Sequence, residues 1–376
     1  MKKITLLILL SIVLEPLSGQ NVFEFDGQAT IQSHTSFKNN NSHYLGLRYL
    51  PEFKYILKID SLKSFIIEGS GNLTISKYLN NNLAQNNNST IRPYRIWSRF
   101  VHKTLELRLG LQKIDFGSAM LLRPLQWFNQ IDPRDPLGLT NGVSGLLLRY
   151  YFKNNSNVWL WGLYGNKKPR GFDALPTYPY KPEFGGRFQK TIPKGEVAFS
   201  YNFRTSSYDE NQFLNPFEQN PEHRIGVDAK WDIGIGFWTE SSFIKRVKNI
   251  GAFTSQFLFE IGADYTFGIG NGLNIIGEHL ITSYGESLII KENASHISAF
   301  NLSYPISFYG AINAFLYHQW EERQNTFSLN YQHKFNRLSG HLIASYNPES
   351  PQGIQQNDIL NTFTGASLKI LLVYNH

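Results

Sequence analysis

Residues 105–152 read LELRLGLQKIDFGSAMLLRPLQWFNQIDPRDPLGLTNGVSGLLLRYYF. At the start, Leu105, Leu107, Leu109 and Leu111 alternate with Glu106, Arg108 and Gly110. At the end, Leu146, Leu148, Tyr150 and Phe152 alternate with Leu147, Arg149 and Tyr151. An apolar residue at every second position is the period of a strand with two different faces, so both flanks are predicted as strands. Between them the chain runs for about 30 residues, far beyond an ordinary hairpin loop. That connection holds Trp127 and Phe128, the prolines Pro124, Pro133 and Pro136, and the charges Arg123, Asp132, Arg134 and Asp135. Such a composition suits an ordered loop folded against something, not a solvated linker.

The same period continues outward in both directions. From Val22 onward the chain reads as strand after strand, with no amphipathic helix. Tight turns are expected at Asp60, Lys153–Asn157, Ile192–Gly195, Gly234, Gly268–Gly272, Pro305 and Asn336–Arg337. Longer connections are expected at Asn80–Thr90, Asn166–Pro182, Ser206–Glu222 and Asn347–Asp358, and at the loop above. The count is about 18 strands, with 16 inside the margin of boundary placement. Long and short connections alternate, and the final strand, Asn361–Tyr374, carries Leu368, Ile370, Leu372 and Tyr374 on one face.

Composition narrows the class. Aromatics make up 15% of the chain, yet mean hydropathy is −0.29, so apolar surface is confined to one face of each strand. No stretch holds eighteen consecutive apolar residues, which argues against a helical membrane protein. Cysteine is absent, so neither a disulfide framework nor a thiolate metal site exists, and the net charge of +7 is spread along the chain, not gathered for nucleic acid. Lys2 and Lys3 precede an apolar run from Ile4 to Leu14, followed by Leu17, Ser18 and Gly19. This is the pattern of a secretory signal peptide, expected over 1–19, with a single domain over 20–376. A secreted β-sandwich would show the same alternation. Strand length, loop asymmetry, aromatic load and signal peptide together favour an all-β, antiparallel up-and-down transmembrane barrel in the cell outer membrane of a Gram-negative cell.

In a barrel the apolar set faces lipid. Phe199, Phe257, Phe259, Leu329, Ile370 and Leu372 are then expected outward; Glu196, Ser200, Asn202, Arg204, Gln256 and Thr266 inward. The inward charges sort unevenly. Strands four to six point Arg95, Arg99, Arg108 and Arg149 inward against Glu106, whereas strands ten to thirteen point Asp228, Glu240, Glu260, Asp264 and Glu278 inward against Arg224 and Lys230. A basic wall would face a largely acidic one and focus a field in the lumen.

The run Leu109–Gly117, with Arg123-Pro124, Trp127-Phe128-Asn129 and Asp132-Pro133-Arg134-Asp135-Pro136, resembles a pattern of porin-like outer-membrane barrels, among them the alginate-export type and related uncharacterised barrels. The resemblance implies the fold, the outer membrane, and the usual partners of such proteins: membrane lipid, the barrel-assembly machinery and small solutes. It implies no cofactor. In general porins the third long loop folds inward, and residues 116–142 occupy that place here. The expected lining or constriction residues are Arg95, Arg99, Arg108, Arg123, Asp132, Arg134, Asp135, Arg149, Glu260 and Asp264, giving passive passage of small or acidic solutes. An oligomer is compatible with the sequence.

No metal-binding spacing, nucleophile elbow or phosphate loop occurs. Two other readings remain at this level: a barrel-embedded hydrolase assembled across strands, for which His279 beside Glu278 and His318 are the only candidates, and a non-conducting structural or adhesive barrel.

Overall fold

The computed structural model describes residues 21–38, 42–80, 83–207, 219–287, 294–349 and 363–376. The segment read as a signal peptide lies outside them. In chain order the strands are β1 (Asn21–Ser36), β2 (His43–Lys58), β3 (Lys63–Asn80), β4 (Leu83–His102), β5 (Leu105–Gln112), β6 (Val143–Tyr151), β7 (Asn157–Leu163), β8 (Glu183–Ile192) and β9 (Gly195–Ser206). They continue as β10 (Asn220–Asp232), β11 (Gly236–Arg246), β12 (Ser255–Phe267), β13 (Leu273–Gly285), β14 (Ala294–Pro305), β15 (Gly310–Gln319), β16 (Gln324–Phe335), β17 (Leu338–Asn347) and β18 (Gly365–Asn375).

Every strand pairs antiparallel with its sequence neighbours, and β1 pairs β18 from Gln28↔Asn375 to Ser36↔Ser367. That last pairing closes the ring, so no strand edge is left to seek a partner. The long connections all follow odd-numbered strands and gather at one rim; β1 begins and β18 ends at the other. The expected Asn80–Thr90 loop is shorter than its composition suggests, because Asn88, Ser89 and Thr90 extend β4 and pair with Ser76, Ile75 and Thr74. A backbone ladder bonds regardless of side-chain polarity, and above the lipid a polar strand costs nothing. The register of β3 against β4 shifts between Ser70 and Gly71, where Pro93 of β4 can offer no backbone N–H.

Direct cross-strand partners share a face, and this sorts the barrel. Phe199, Phe259, Leu329, Ile370 and Leu372 point outward and are exposed, and Phe257 is half-buried on the same face. A belt of this extent would be insoluble in water; it is the surface a membrane barrel presents to hydrocarbon. Two clusters of buried apolar residues lie inside the ring, and both are built around the long loop between β5 and β6.

Candidate functional site

The 113–142 loop does not cap the barrel. It crosses the interior and lands on two separate walls. On one side Ile114, Phe116, Trp127 and Phe128 pack with Leu147 of β6 and Trp161 and Leu163 of β7. The Phe116 and Trp161 rings stack at 5.8 Å, and Phe128 meets Trp161 edge-on at 5.2 Å. On the other side Leu121 and Leu122 pack against Leu258 of β12, Leu280 of β13, Ile297 and Ala299 of β14, and Tyr317 of β15. Fully burying side chains of this size is worth about 1.5–3 kcal/mol each, so apolar contact contributes to both landings.

Between the landings, the acidic wall grips the loop backbone. The Glu278 carboxylate accepts the N–H groups of Met120, Leu121 and Leu122 at 2.6, 2.9 and 2.5 Å, and the Trp238 indole N–H at 3.1 Å. Glu240 accepts those of Ala119 at 2.7 Å and Leu125 at 3.3 Å. A loop inside a barrel brings N–H groups with no ladder to satisfy them, and a carboxylate facing several at once meets that need with charge-assisted bonds. Two glycines make room. Gly117 has φ of 106°, and a Cβ there would strike the Glu240 carboxylate. Gly226 faces inward on β10 where Leu125 and Trp127 come to rest, and the Trp127 indole N–H reaches Ser242 of β11 at 2.9 Å.

A second connection, residues 164–182, also turns inward. Its Asp173 accepts from Arg204 at 2.7 Å and Arg224 at 2.6 Å, and its Arg170 pairs with Glu183 at 2.8 Å. Glu222 of β10 sits among Arg204, Arg224 and Arg246 at 2.8, 2.7 and 2.8 Å. Arg187 pairs with Asp228 at 2.5 Å. These side chains are almost wholly buried, and such charges are tolerated only because each faces its opposite.

The basic residues singled out from the sequence fall into separate groups. Arg99, Arg108 and Arg149 surround Glu106 at 4.0, 2.9 and 3.8 Å, with Arg108 over Trp97 and Arg149 over Trp159. Arg95 donates to the carbonyl and hydroxyl oxygens of Thr140 at 3.0 and 2.7 Å. Arg123 donates to the Ala119 carbonyl and pairs with Asp115 at 2.7 Å. Burial disfavours the Asp115 charge, but Arg123 and Lys113 outweigh it and hold this carboxyl below its ordinary range. Arg134 is clasped by Asp132 at 2.7 Å and lies over Tyr317. Glu260 stands directly opposite Glu240 on the buried acidic wall, and Asp264 lies opposite Gly236 near the short-turn rim.

Beside the loop, on the side of the long connections, a cavity of about 580 Å³ remains. Its cations are Arg48, Arg92, Arg95, Lys167, Lys168 and Arg170, and its carboxylates are Asp132 and Asp135. Burial raises the Asp135 carboxyl above its ordinary range, against the pull of Lys369. Arg48, Arg92, Lys167, Lys168 and Arg170 escaped the sequence reading, as did the loop's landing sites. The landing sites carry a signal: Leu146-Leu147-Leu148, Trp159-Leu160-Trp161 and Phe257-Leu258-Phe259 are runs in which apolar residues occupy both faces. The inward members, Leu147, Trp159 with Trp161, and Leu258, mark where the loop docks.

No protein-family model and no curated protein matches the sequence. Among solved structures the chain is similar to Pseudomonas aeruginosa OccK5 (OpdH), with a TM-score of 0.56 at 9% identity, covering 95% of this chain and 98% of that one. It is also similar to Salmonella typhi OmpF, solved in complex with daunomycin, with a TM-score of 0.50 at 10% identity and coverage of 95% and 98%. At such identities the likeness is one of fold. A closed ring with its apolar belt turned outward belongs in a bilayer, and with these likenesses it identifies the chain as a porin-like β-barrel of the bacterial outer membrane.

Proposed function

We propose that this barrel passes small solutes by diffusion, favours anions, and has its width set by the 113–142 loop. The observation that carries the reading is the cavity beside that loop, where six cationic side chains face two carboxylates. Arg99, Arg108 and Arg149, gathered around the single Glu106, extend the positive field toward the short-turn rim. On the acidic wall Glu240 and Glu278 face the docked loop, whose backbone N–H groups they accept, and neither lines the cavity. Within this reading Arg95, Arg99, Arg108, Arg123, Arg134, Arg149, Asp132, Asp135, Glu260 and Asp264 line or shape the passage. The reading requires no cofactor and no catalysis.

The test is the reversal potential across a planar bilayer under a salt gradient. The wild type is expected to prefer anions, and Arg99→Glu with Arg149→Glu to lower that preference. A barrel that never conducts, or a double variant with unchanged selectivity, contradicts the proposal.

A further inference from the structure

The outer wall of a barrel is expected to be apolar, because hydrocarbon cannot solvate polar side chains; a polar group there points to function. Among the described residues a continuous polar row interrupts the belt on β13 to β16. His279 of β13, Ser298 of β14, His318 of β15 and Asn325 of β16 are successive direct cross-strand partners. They share the outward face with the exposed Phe259, Ile261, Phe300 and Leu316. The next outward positions toward the long-loop rim are His296 on β14 and Trp320, which opens the β15–β16 connection. Glu278, beside His279 in sequence, faces the lumen, so the sequence neighbours are separated by the wall.

The side chains of this cluster form a connected chain of hydrogen bonds. The Trp320 indole N–H donates to Ser298 Oγ at 2.9 Å. Ser298 Oγ lies 2.9 Å from His279 Nδ1, and His279 Nε2 lies 3.3 Å from His296 Nδ1. An indole can only donate, so Ser298 Oγ accepts from Trp320, and of the two His279 tautomers that satisfy all three contacts one sends the serine proton toward Nδ1. His279 then carries its own proton on Nε2 and donates it to His296. The Glu321 carboxylate accepts the His296 backbone N–H at 2.9 Å and fixes that end of β14. A hydroxyl bonded to an imidazole whose second nitrogen is held by a third group is the arrangement that activates a serine nucleophile.

We propose that Ser298 and His279, with His296 as a positioning residue, form a lipid-facing site that hydrolyses the acyl ester of a phospholipid in the outer leaflet. Ser298 Oγ attacks the ester carbonyl carbon as its proton passes to His279 Nδ1. The Trp320 indole N–H is the donor beside Oγ that meets the developing oxyanion. The ester C–O bond breaks, and the departing lysophospholipid oxygen takes the proton from His279. Water then attacks the acyl-serine, gives its proton to His279, and the fatty acid leaves as Ser298 regains that proton. Ser298 is 8% exposed and accepts from Trp320, which is 55% exposed, so the site lies just beneath the lipid-facing surface with its indole donor in place. The activity sits outside the lumen and is independent of conduction.

The test uses the full mature barrel in phospholipid vesicles, with a fluorophosphonate serine probe in one assay and released fatty acid as the readout in another. The wild type is expected to be labelled at Ser298 and to release fatty acid. Ser298→Ala and His279→Gln should lose both at least tenfold while keeping heat-modifiable migration and wild-type conductance. His296→Gln keeps an acceptor for the His279 N–H and should retain labelling, whereas His296→Leu should lose it. Absence of label at Ser298, or fatty-acid release equal to that of Ser298→Ala, overturns the proposal and leaves the channel reading untouched.

Discussion

At the scale of single residues, burial decides what each charge does. Asp135 lines the cavity, and its carboxyl is pushed up by burial, so it takes a proton before ordinary carboxylates do as pH falls. Losing that negative charge leaves the cavity more positive. Anion preference should therefore rise as pH drops below neutral, and Asp135→Asn should show the higher preference already at neutral pH with a flatter dependence; a reversal-potential titration reads both. The same shift has a stability sign. The folded state binds the Asp135 proton more tightly than the unfolded chain, so stability falls as pH rises from the unfolded toward the folded value. Asp135→Asn should then stabilise the barrel at neutral pH and bring no gain below the ordinary carboxylate range, as followed by urea unfolding in lipid. On the outer wall the rule is solvent, not charge pairing. Phe259→Arg, on the lipid face, should cost about 2 to 4 kcal/mol, whereas Arg at inward Thr266 should cost little. Equal costs at both positions would contradict the assigned faces. The faces were legible from alternation, because period two is a direct consequence of strand geometry. Asp135's neighbours were not, because Arg48 and Lys369 reach it from β2 and β18, strands far from it in sequence.

At the scale of elements, the 113–142 loop is a structural member of the barrel. Its Trp-Phe pair, prolines and length announced an ordered inward loop. Its attachment was hidden because Glu240 and Glu278 read as members of an acidic lumen wall, not as acceptors for backbone N–H groups. Replacing Glu278 with Ala leaves the N–H groups of Met120, Leu121 and Leu122 without their acceptor, at about 1–3 kcal/mol for each buried orphan. The strands have their own ladder, so the variant should still fold and migrate heat-modifiably. Its loop should become susceptible to protease added from outside, and its current noisier; a loop as resistant as the wild type's would contradict the latch. The 164–182 connection is held differently, by ion pairs. Glu222→Gln leaves Arg204, Arg224 and Arg246 with one carboxylate fewer in a buried site and should cost about 3–5 kcal/mol. In the sequence that connection stands out only as one of the longer ones, Asn166–Pro182. Its inward turn depends on Asp173 meeting arginines of β9 and β10, a pairing that no local pattern reveals.

At the scale of the whole molecule, closure and contents are separate problems that the sequence solves with separate signals. Closure is written in the alternation of about 18 strands and in the alternation of long and short connections. The β1–β18 pairing completes it, although Asn375 and His376 follow the last apolar residue. The contents are written where alternation fails: inward Leu147, Trp161, Leu258 and Leu280 spoil a purely polar lumen and mark the docking sites of the loop. The barrel should accordingly fractionate with the outer membrane and resist dissociation until heated, and recovery as a soluble protein without detergent would contradict it. In the function proposed above, the docked loop sets the width of a conducting passage. Single-channel recording of the wild type beside a variant lacking the loop tip, residues 128–134, tests it most directly. A conducting wild type and a higher unit conductance in the variant are expected; equal conductance in the two, or a wild type that stays closed, would overturn the proposed role of the loop.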